Sequence, residues 1–193
     1  MKICVFGSSS DRLLPEYYAA ARSLGQEIAR RGHTLVFGGG ARGLMGACAE
    51  GAHELGGEII GIAPSYFNEP GILYENCTQM IYSDDINGRK SVMEEMSDAI
   101  VVMPGGIGTF EEFFEVLTAR QLGRHFMPIA LMNTLGYFDS LHALIVSCTE
   151  SGFVSRSCLA EYTLSPTPAD ALREAEKPVE RPENGDWLEN YTK

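Results

Sequence analysis

Short apolar runs recur along the chain, and stretches with helical residue spacing separate each run from the next. Most of these runs lack the polar–apolar alternation of a strand that has one face in water. Apolar strands that are joined by helices pair in parallel and are covered on both sides. The sequence therefore predicts an α/β fold, a Rossmann-like, doubly wound and mostly parallel sheet with helices on both faces. The predicted strands are 2–6, 34–37, 58–63, 78–82, 99–103, 128–132 and 161–164.

The length and the change of composition along the chain predict one folded unit and a tail. A chain of 193 residues can bury one good core. We expect a single Rossmann-like nucleotide-binding domain over residues 1–176 and an acidic C-terminal tail over 177–193, where Pro, Glu and Asn dominate. Trp187 and Tyr191 are expected to pin the tail to a surface, on this chain or on a partner. The predicted helices are 15–31, 44–55, 89–97, 110–122, 137–150 and 168–176.

The charge and the cysteines limit the function and the compartment. A net charge of −11 argues against a nucleic-acid surface, although a local glycine turn can still bind a small anion. The five cysteines include no Cys-x-x-Cys, which fits free thiols in a reducing compartment, and we expect Cys4, Cys48 and Cys148 in the core. No secretory signal or membrane-spanning run is recognisable, so we expect a cytoplasmic protein without a membrane partner.

Residues 99–112 combine three features that together predict an anion site. A buried-strand pattern ends at Pro104, which has no N–H to give to a ladder. Three glycines follow and allow backbone angles that side chains forbid. They are Gly105, Gly106 and Gly108. A helical pattern begins at Phe110, so free N–H groups and the positive end of a helix dipole face this turn, an arrangement that most often binds phosphate.

Thr109 and Glu112 allow a structural and a functional interpretation. Thr at a helix N-cap with Glu three residues later is a capping box. The functional alternative is that Glu112 also faces a bound ligand. The helix dipole and the N–H donors of a first turn favour a charged carboxylate, so we expect Glu112 to be ionised at neutral pH. Such a group suits stabilising a developing positive charge or orienting a water.

Two further motifs lie at the same predicted edge of the sheet. Gly38-x-Gly40-x-x-Gly43 has the form of a dinucleotide fingerprint, but the strand after it ends without an acid for a ribose hydroxyl. We therefore expect no nicotinamide cofactor, and these glycines serve either close backbone packing or the wall of a mononucleotide pocket. Arg89-Lys90 is either a solvated basic pair or one with a phosphate-binding or catalytic role.

The remaining sequence motifs give little evidence for a function. Asp84 and Asp85 lack a third ligand and the four histidines lack metal-ligand spacing, so we expect no metal. There is no Gly-x-Ser-x-Gly elbow and no Walker-type Gly-Lys-Ser/Thr. The aromatic residues of the predicted loop 65–77 either cover a pocket or fill a gap in the core.

Three motifs together resemble the LOG family of cytokinin riboside 5′-monophosphate phosphoribohydrolases, many of them long mislabelled as lysine decarboxylases. Residues 104–112, PGGIGTFEE, fit the family signature PGGxGTxxE. Residues 38–46, GGGARGLMG, are similar to its GGGxxGLMG, and residues 89–93, RKSVM, to its RKxxM. The resemblance covers roughly residues 1–165 in order and spacing, and the joint occurrence of three motifs is more specific than any one.

The resemblance implies hydrolysis of the N-glycosidic bond of an adenosine 5′-monophosphate, often N6-substituted, to free base and ribose 5-phosphate without a cofactor. The catalytic pair of the family falls on Arg89 and Glu112. Glycosidic cleavage passes through an oxocarbenium-like state that a fixed carboxylate stabilises, and Arg89 either holds Glu112 or neutralises the phosphate. The residues expected to bind substrate or phosphate are Ser8, Ser9, Gly39, Gly40, Lys90, Gly105, Gly106, Gly108 and Thr109.

The resemblance also bears on specificity, assembly and alternative functions. The family often has Met-His shortly before the arginine, where this chain has Ile86 and Asn87, a departure that concerns base recognition more than bond cleavage. A homodimer is implied, with a site that can lie near a subunit boundary. The alternative is a non-catalytic nucleotide or molybdenum-cofactor carrier, since such carriers look similar in fold and in the PGGxGT turn. We do not expect lysine decarboxylation, because pyridoxal chemistry needs a Schiff-base lysine and no lysine here is so marked.

Overall fold

Strands and helices alternate along the chain in the computed structural model, which describes residues 1–178. The strands are β1 Lys2–Phe6, β2 Thr34–Phe37, β3 Ile59–Pro64, β4 Gln79–Ser83, β5 Ala99–Val102, β6 Ile129–Met132 and β7 Thr163–Ser165. The α-helices are α1 Pro15–Arg30, α2 Gly43–Glu54, α3 Ile86–Glu95, α4 Ile107–Gln121, α5 Asp139–Glu150 and α6 Pro168–Ala175. Each strand corresponds to one of the runs predicted above.

The strands form one sheet in the order β4-β3-β2-β1-β5-β6-β7, and all of the described pairs are parallel. The chain builds outward from β1 to β4 and then returns to the other side of β1 with β5. The strand order therefore reverses between β1 and β5, and sheets of this kind bind ligands in the crevice beyond such a point. The predicted Rossmann-like, doubly wound fold with a parallel sheet is confirmed.

Two apolar cores flank the sheet, because successive residues of a strand point to opposite faces. Along β1, Ile3 and Val5 belong to one core, whereas Cys4 and Phe6 belong to the other. The first core contains the buried faces of α1, α2 and α6, and the second contains those of α3, α4 and α5. Since α3 and α4 cover the same face of the sheet, side chains from these two helices can meet above β1.

Two glycines let α1 and α2 pack with their backbones in contact. A methyl group added at Gly25 would lie 1.9 Å from the carbonyl oxygen of Cys48, and one added at Gly51 would lie 2.0 Å from that of Arg22. Only glycine leaves room for such an approach. The close fit continues to Gly43, the first residue of α2, which meets the turn after β1.

Two helices begin three residues earlier than the sequence predicts. The first, α3, starts at Ile86, because the Asp85 carboxylate accepts a hydrogen bond from the N–H of Gly88 (2.7 Å) and caps the helix. The second, α4, starts at Ile107. Both missed turns contain a glycine, which has low helix propensity and adds nothing to an apolar pattern.

The burial of the cysteines differs in part from the prediction. Cys4 and Cys48 are buried as predicted, but Cys148 is only half-buried. Cys158, which was not predicted in the core, is buried. All five thiols are free.

In the predicted loop 65–77, one aromatic residue fills a gap in the core and two others are exposed. Tyr74 packs against the buried Phe37 in a T-shaped pair, whereas Tyr66 and Phe67 remain exposed. The aromatic residues predicted to pin the tail lie outside the described residues. None of the described helices is both long and apolar enough to cross a membrane.

Candidate active site

The turns after β1, β2 and β5 meet at the carboxyl edge of the sheet, as their positions in the sequence predict. The N–H of Ser8, after β1, donates to the carbonyl of Pro104, after β5 (3.1 Å). The carbonyl of Ser8 accepts from the N–H of Leu44, at the start of α2 (2.8 Å). Ser8 therefore joins the other two turns, and its own hydroxyl accepts from the N–H of Ser10 (3.0 Å). The neighbouring Ser9 is exposed at the same edge.

Close backbone packing accounts for the last glycine of the Gly38-x-Gly40-x-x-Gly43 motif. Gly43 has φ +63°, and a methyl group there would lie 2.4 Å from the carbonyl oxygen of Ser8. Its N–H donates to the Asp11 carboxylate (3.0 Å). The packing interpretation of the motif is correct for this position.

Gly39 and Gly40 are held by the loop that follows β3. The N–H of Tyr74 donates to the carbonyl of Gly39 (2.8 Å), and Gly40 forms an isolated antiparallel bridge with Leu73. Gly39 has φ +73°, a conformation that favours glycine. The two residues lie at the edge of the sheet above β2, and their role as the wall of a mononucleotide pocket stays a prediction.

The N-terminus of α4 is open. Gly106 is the N-cap residue, with φ −88° and ψ −157°, and no described side chain caps the helix. Thr109 lies inside the first turn and is buried, so the predicted capping box is wrong. The first N–H groups of an α-helix have no partner within the helix, and they stay available here to an anion.

The glycines of this turn provide space rather than unusual backbone angles, which corrects the prediction. None of Gly105, Gly106 and Gly108 has a positive φ. Gly105 is needed because a methyl group there would lie 2.1 Å from the hydroxyl oxygen of Thr109. Methyl groups at Gly106 and Gly108 would meet no described atom within 4 Å. The space in front of the helix N-terminus is therefore free.

A small cavity of about 250 Å³ opens beside the turn, and the sequence did not reveal all of its walls. The hydroxyl of Tyr137 donates to the carbonyl of Gly105 (2.5 Å) and so fixes the turn from the side of α5. Tyr137 was predicted as a helix residue, but it precedes α5 in a turn where Leu135 has φ +55°. The cavity is lined by Ser8, Ser10, Leu13, Tyr17, Pro104, Gly105, Gly106 and Tyr137.

Arg89 and Glu112, the two residues on which the catalytic pair of the family falls, form a mostly buried ion pair. Nη2 of Arg89 donates to Oε1 of Glu112 at 2.9 Å, and each side chain is 12% exposed. A methyl group at Gly38 would lie 2.3 Å from Nη2 of Arg89, so the missing side chain at the end of β2 makes room for the guanidinium. Among the described residues, Nε of Arg89 has no partner, and such a buried donor costs about 1–3 kcal/mol. This N–H is available to a substrate or a water.

The pKa of Glu112 lies above its ordinary value of 4.5. Burial is the largest cause, the ion pair with Arg89 opposes it, Glu111 raises the pKa further and Lys90 lowers it. The direction is opposite to the one expected from the helix dipole, because the carboxylate is withdrawn from water.

Lys90 does not project freely toward the turn. Its Nζ contacts Oε1 of Glu111 (2.5 Å) and Oε2 of Glu115 (2.7 Å), both on α4. The structure therefore brings Arg89 of α3 to Glu112 of α4, whereas Lys90 pairs with two other glutamates of α4. Within residues 1–178, no group of three or more His, Cys, Asp or Glu side chains is arranged to hold a metal ion.

Fold and site together define a class of Rossmann-like α/β protein that presents an open helix N-terminus and an arginine–glutamate pair at its ligand edge. A family model described as "Possible lysine decarboxylase" matches residues 45–175. The chain belongs to this family, the LOG family.

Relatives with curated names carry the resemblance over nearly the whole chain. A probable cytokinin riboside 5′-monophosphate phosphoribohydrolase of Oryza sativa subsp. japonica is 37% identical over 187 residues, covering 97% of this chain and 76% of the relative. A cytokinin riboside 5′-monophosphate phosphoribohydrolase of Arabidopsis thaliana is 37% identical over 176 residues, covering 91% and 82%.

Solved structures extend the likeness of the fold. The molybdenum cofactor binding protein of Rippkaea orientalis has a TM-score of 0.69 and 23% identity, covering 89% of this chain and 93% of that one. The molybdenum cofactor carrier protein of Chlamydomonas reinhardtii has a TM-score of 0.68 and 22% identity, with the same coverage. At this identity the likeness concerns the fold alone.

The raised pKa of Glu112 predicts how stability depends on pH. Glu112→Gln removes the titrating group. The difference in the free energy of unfolding between the wild type and this variant therefore isolates the contribution of Glu112 to the pH dependence. A carboxyl whose pKa is raised on folding contributes stability below its ordinary value of 4.5, and this contribution is lost as the pH rises through the raised value. We expect the wild type to lose stability relative to Glu112→Gln over this window, measured by denaturant unfolding at a series of pH values.

Glu16→Gln, at an exposed position in the first turn of α1, is the matched control and should change the pH dependence of stability less than Glu112→Gln does. A wild type that gains stability relative to Glu112→Gln as the pH rises would show a lowered pKa for Glu112, as the helix dipole alone predicts.

Proposed function

We propose that this protein hydrolyses the N-glycosidic bond of adenosine 5′-monophosphates, including N6-substituted ones, to the free base and ribose 5-phosphate. The observation that carries the proposal is the mostly buried Arg89–Glu112 pair beside the open N-terminus of α4. The relatives named above are phosphoribohydrolases, and their similarity extends along nearly the whole chain.

The open N-terminus of α4 is the proposed phosphate site. Backbone N–H groups at a helix start, with the positive end of the dipole behind them, bind phosphate without a cationic side chain. This explains how a chain with a net charge of −11 can take an anionic substrate. The proposed contacts are Gly105, Gly106, Gly108 and Thr109 from this turn, Ser8 and Ser9 from the turn after β1, and Gly39 and Gly40 as the wall above β2.

Glu112 is the proposed catalytic carboxylate. As the bond between C1′ and the base nitrogen lengthens, positive charge develops on the sugar, and a fixed carboxylate stabilises it. The oxygen of a water then bonds to C1′, one of its protons ends on the departing base, and the other stays on the new hydroxyl. The ion pair with Arg89 holds the Glu112 carboxylate in place, so orientation is set before substrate binds.

The reaction needs water and no cofactor, and lysine decarboxylation does not fit the site. A Schiff base needs a neutral lysine amine. Lys90 is the buried lysine near the site: burial lowers its pKa, but the ion pairs with Glu111 and Glu115 outweigh this and raise it. Lys90 therefore stays protonated and is a poor nucleophile.

We further propose a homodimer in the cytoplasm that binds neither nucleic acid nor a membrane. Exposed apolar side chains support a protein interface on α4, where Ile107 is 83% exposed and Phe114 is 40% exposed. The acidic net charge disfavours nucleic acid and anionic membranes alike. Sedimentation of the purified protein as a monomer at assay concentration would contradict the dimer.

Removal of the Glu112 charge tests the reaction. Glu112→Gln keeps the size of the side chain, and we expect base release from adenosine 5′-monophosphate to fall by at least about 100-fold, because the electrostatic stabilisation of the sugar is lost. Free base measured by chromatography gives the rate, and Glu16→Gln should match the wild type.

Two results would oppose this proposal. Near-normal turnover by Glu112→Gln would remove Glu112 from the mechanism. Tight binding of adenosine 5′-monophosphate by the wild type with no release of base would indicate a nucleotide-binding or carrier protein instead of an enzyme.

A methyl group in front of α4 tests the phosphate site. Gly106 has backbone angles that alanine tolerates and nothing near its missing side chain, so Gly106→Ala should leave thermal unfolding unchanged. An added methyl group at a packed contact costs about 1–3 kcal/mol, so we expect the affinity for ribose 5-phosphate to fall about 5- to 150-fold, measured by calorimetry.

Adenosine, which lacks the phosphate, is the control ligand and should lose less affinity than ribose 5-phosphate does. An unchanged affinity of Gly106→Ala for ribose 5-phosphate would place the phosphate elsewhere.

A further inference from the structure

Lys90 is the one charged residue that is buried in the described part of the chain, with 7% exposure. A lysine is almost never buried unless it is paired, since moving its charge out of water is costly. Here the ammonium lies between Glu111 (2.5 Å) and Glu115 (2.7 Å). These carboxylates lie four residues apart and so on one face of α4, which the lysine of α3 bridges.

Arg89 and Lys90 attach α3 to α4 at two different points. Arg89 binds Glu112, whereas Lys90 binds the neighbouring face of the same helix through Glu111 and Glu115. Packing in the second apolar core sets the distance of both helices from the sheet, and the ion pairs between them restrain how their polar sides meet. Glu111, Glu112 and Glu115 lie within about 100° of one another around α4. Three ion pairs therefore hold this side of α4 against α3 and fix the direction of the Glu112 carboxylate.

We propose that Lys90 is a positioning residue for the catalytic pair and not a ligand of the substrate phosphate: its ion pairs with Glu111 and Glu115 hold α4 so that the Glu112 carboxylate meets the Arg89 guanidinium. This inference rests on the proposed hydrolase function. It replaces the phosphate-binding role that the sequence predicts for Lys90.

The charges around Glu112 give the same lysine an electrostatic effect. The charges that act on Glu112 are those of Arg89 and Lys90 from α3 and of Glu111 from its own helix, and Glu112 in turn acts on the thiol of Cys4 from β1. Burial raises the pKa of Cys4, so this thiol stays neutral. Lys90 offsets the negative charge of Glu111, and removal of Lys90 should therefore favour protonation of Glu112.

The experiment compares kcat, KM and pH profile for adenosine 5′-monophosphate among the wild type, Lys90→Met and Lys90→Arg. Misplacement of a catalytic group by about 1 Å can cost about 100-fold, and we expect Lys90→Met to lower kcat at least about 10-fold with KM changed less than about 3-fold. The inhibition constant for inorganic phosphate should stay within the same limit. The acidic limb of the pH profile should move to higher pH, and Lys90→Arg should restore most of kcat.

A phosphate ligand would behave differently. Loss of a phosphate contact in Lys90→Met would raise KM and weaken inhibition by inorganic phosphate while leaving the pH limb in place, and this result overturns the proposal. Lys177→Met, which removes an exposed lysine paired with Glu174 on the surface, is the matched control and should leave all constants unchanged.

A double variant of the acidic partners of Lys90 also separates the positioning role from the phosphate-binding role. Glu111→Gln with Glu115→Gln keeps Lys90 but removes its partners. The positioning role predicts a loss of kcat similar to that of Lys90→Met, because the second attachment is broken. A phosphate-binding role predicts an unchanged kcat and a lower KM, because the ammonium is released toward the substrate, and this result also overturns the proposal.

A readout without turnover keeps this inference separate from the proposed function. Crystal structures of the wild type and Lys90→Met give the separation of Arg89 Nη2 and Glu112 Oε1, which is 2.9 Å here and should lengthen in the variant. An unchanged separation together with unchanged kcat overturns the positioning role. Absence of base release by the wild type overturns the proposed function, and the separation then still decides whether Lys90 positions the pair.

Discussion

The Arg89–Glu112 ion pair is the interaction on which the site depends. Both side chains are mostly buried, and removing one partner of such a pair costs about 3–5 kcal/mol because the other charge is left without compensation. The pair joins helices α3 and α4 on one face of the sheet, and the guanidinium lies in space that Gly38 leaves free at the end of β2. Two helices and the end of a strand are thus arranged around two charges.

The proposed site divides its tasks between backbone and side chains. The anion is assigned to backbone amides at the start of α4, where Gly106 and Gly108 leave open space, and the chemistry is assigned to Glu112 one turn further along. Both parts lie on one helix, so their separation is set by helical geometry and not by a flexible loop. The Tyr137 hydroxyl donates to the carbonyl of Gly105 and so fixes this turn.

Residue patterns predicted the architecture well and the local chemistry less well. Apolar runs such as 99–103 identify buried strands, because a strand that is buried on both faces appears in the sequence as a continuous apolar run. The start of α4 was missed because glycines carry no such signal. The upward pKa shift of Glu112 was also missed, because burial depends on what α3 and β1 place around the carboxylate. The ion pairs of Lys90 join residues more than 20 positions apart, and spacing along the chain cannot show which of several glutamates it meets.

A crystal structure of Glu112→Gln with adenosine 5′-monophosphate bound would test the central claim most directly. The account predicts phosphate oxygens within about 2.7–3.2 Å of backbone nitrogens between Gly106 and Thr109, and C1′ of the ribose facing the side chain at position 112. A phosphate bound instead by the Lys90 ammonium, or a ribose whose C1′ faces away from position 112, would contradict it.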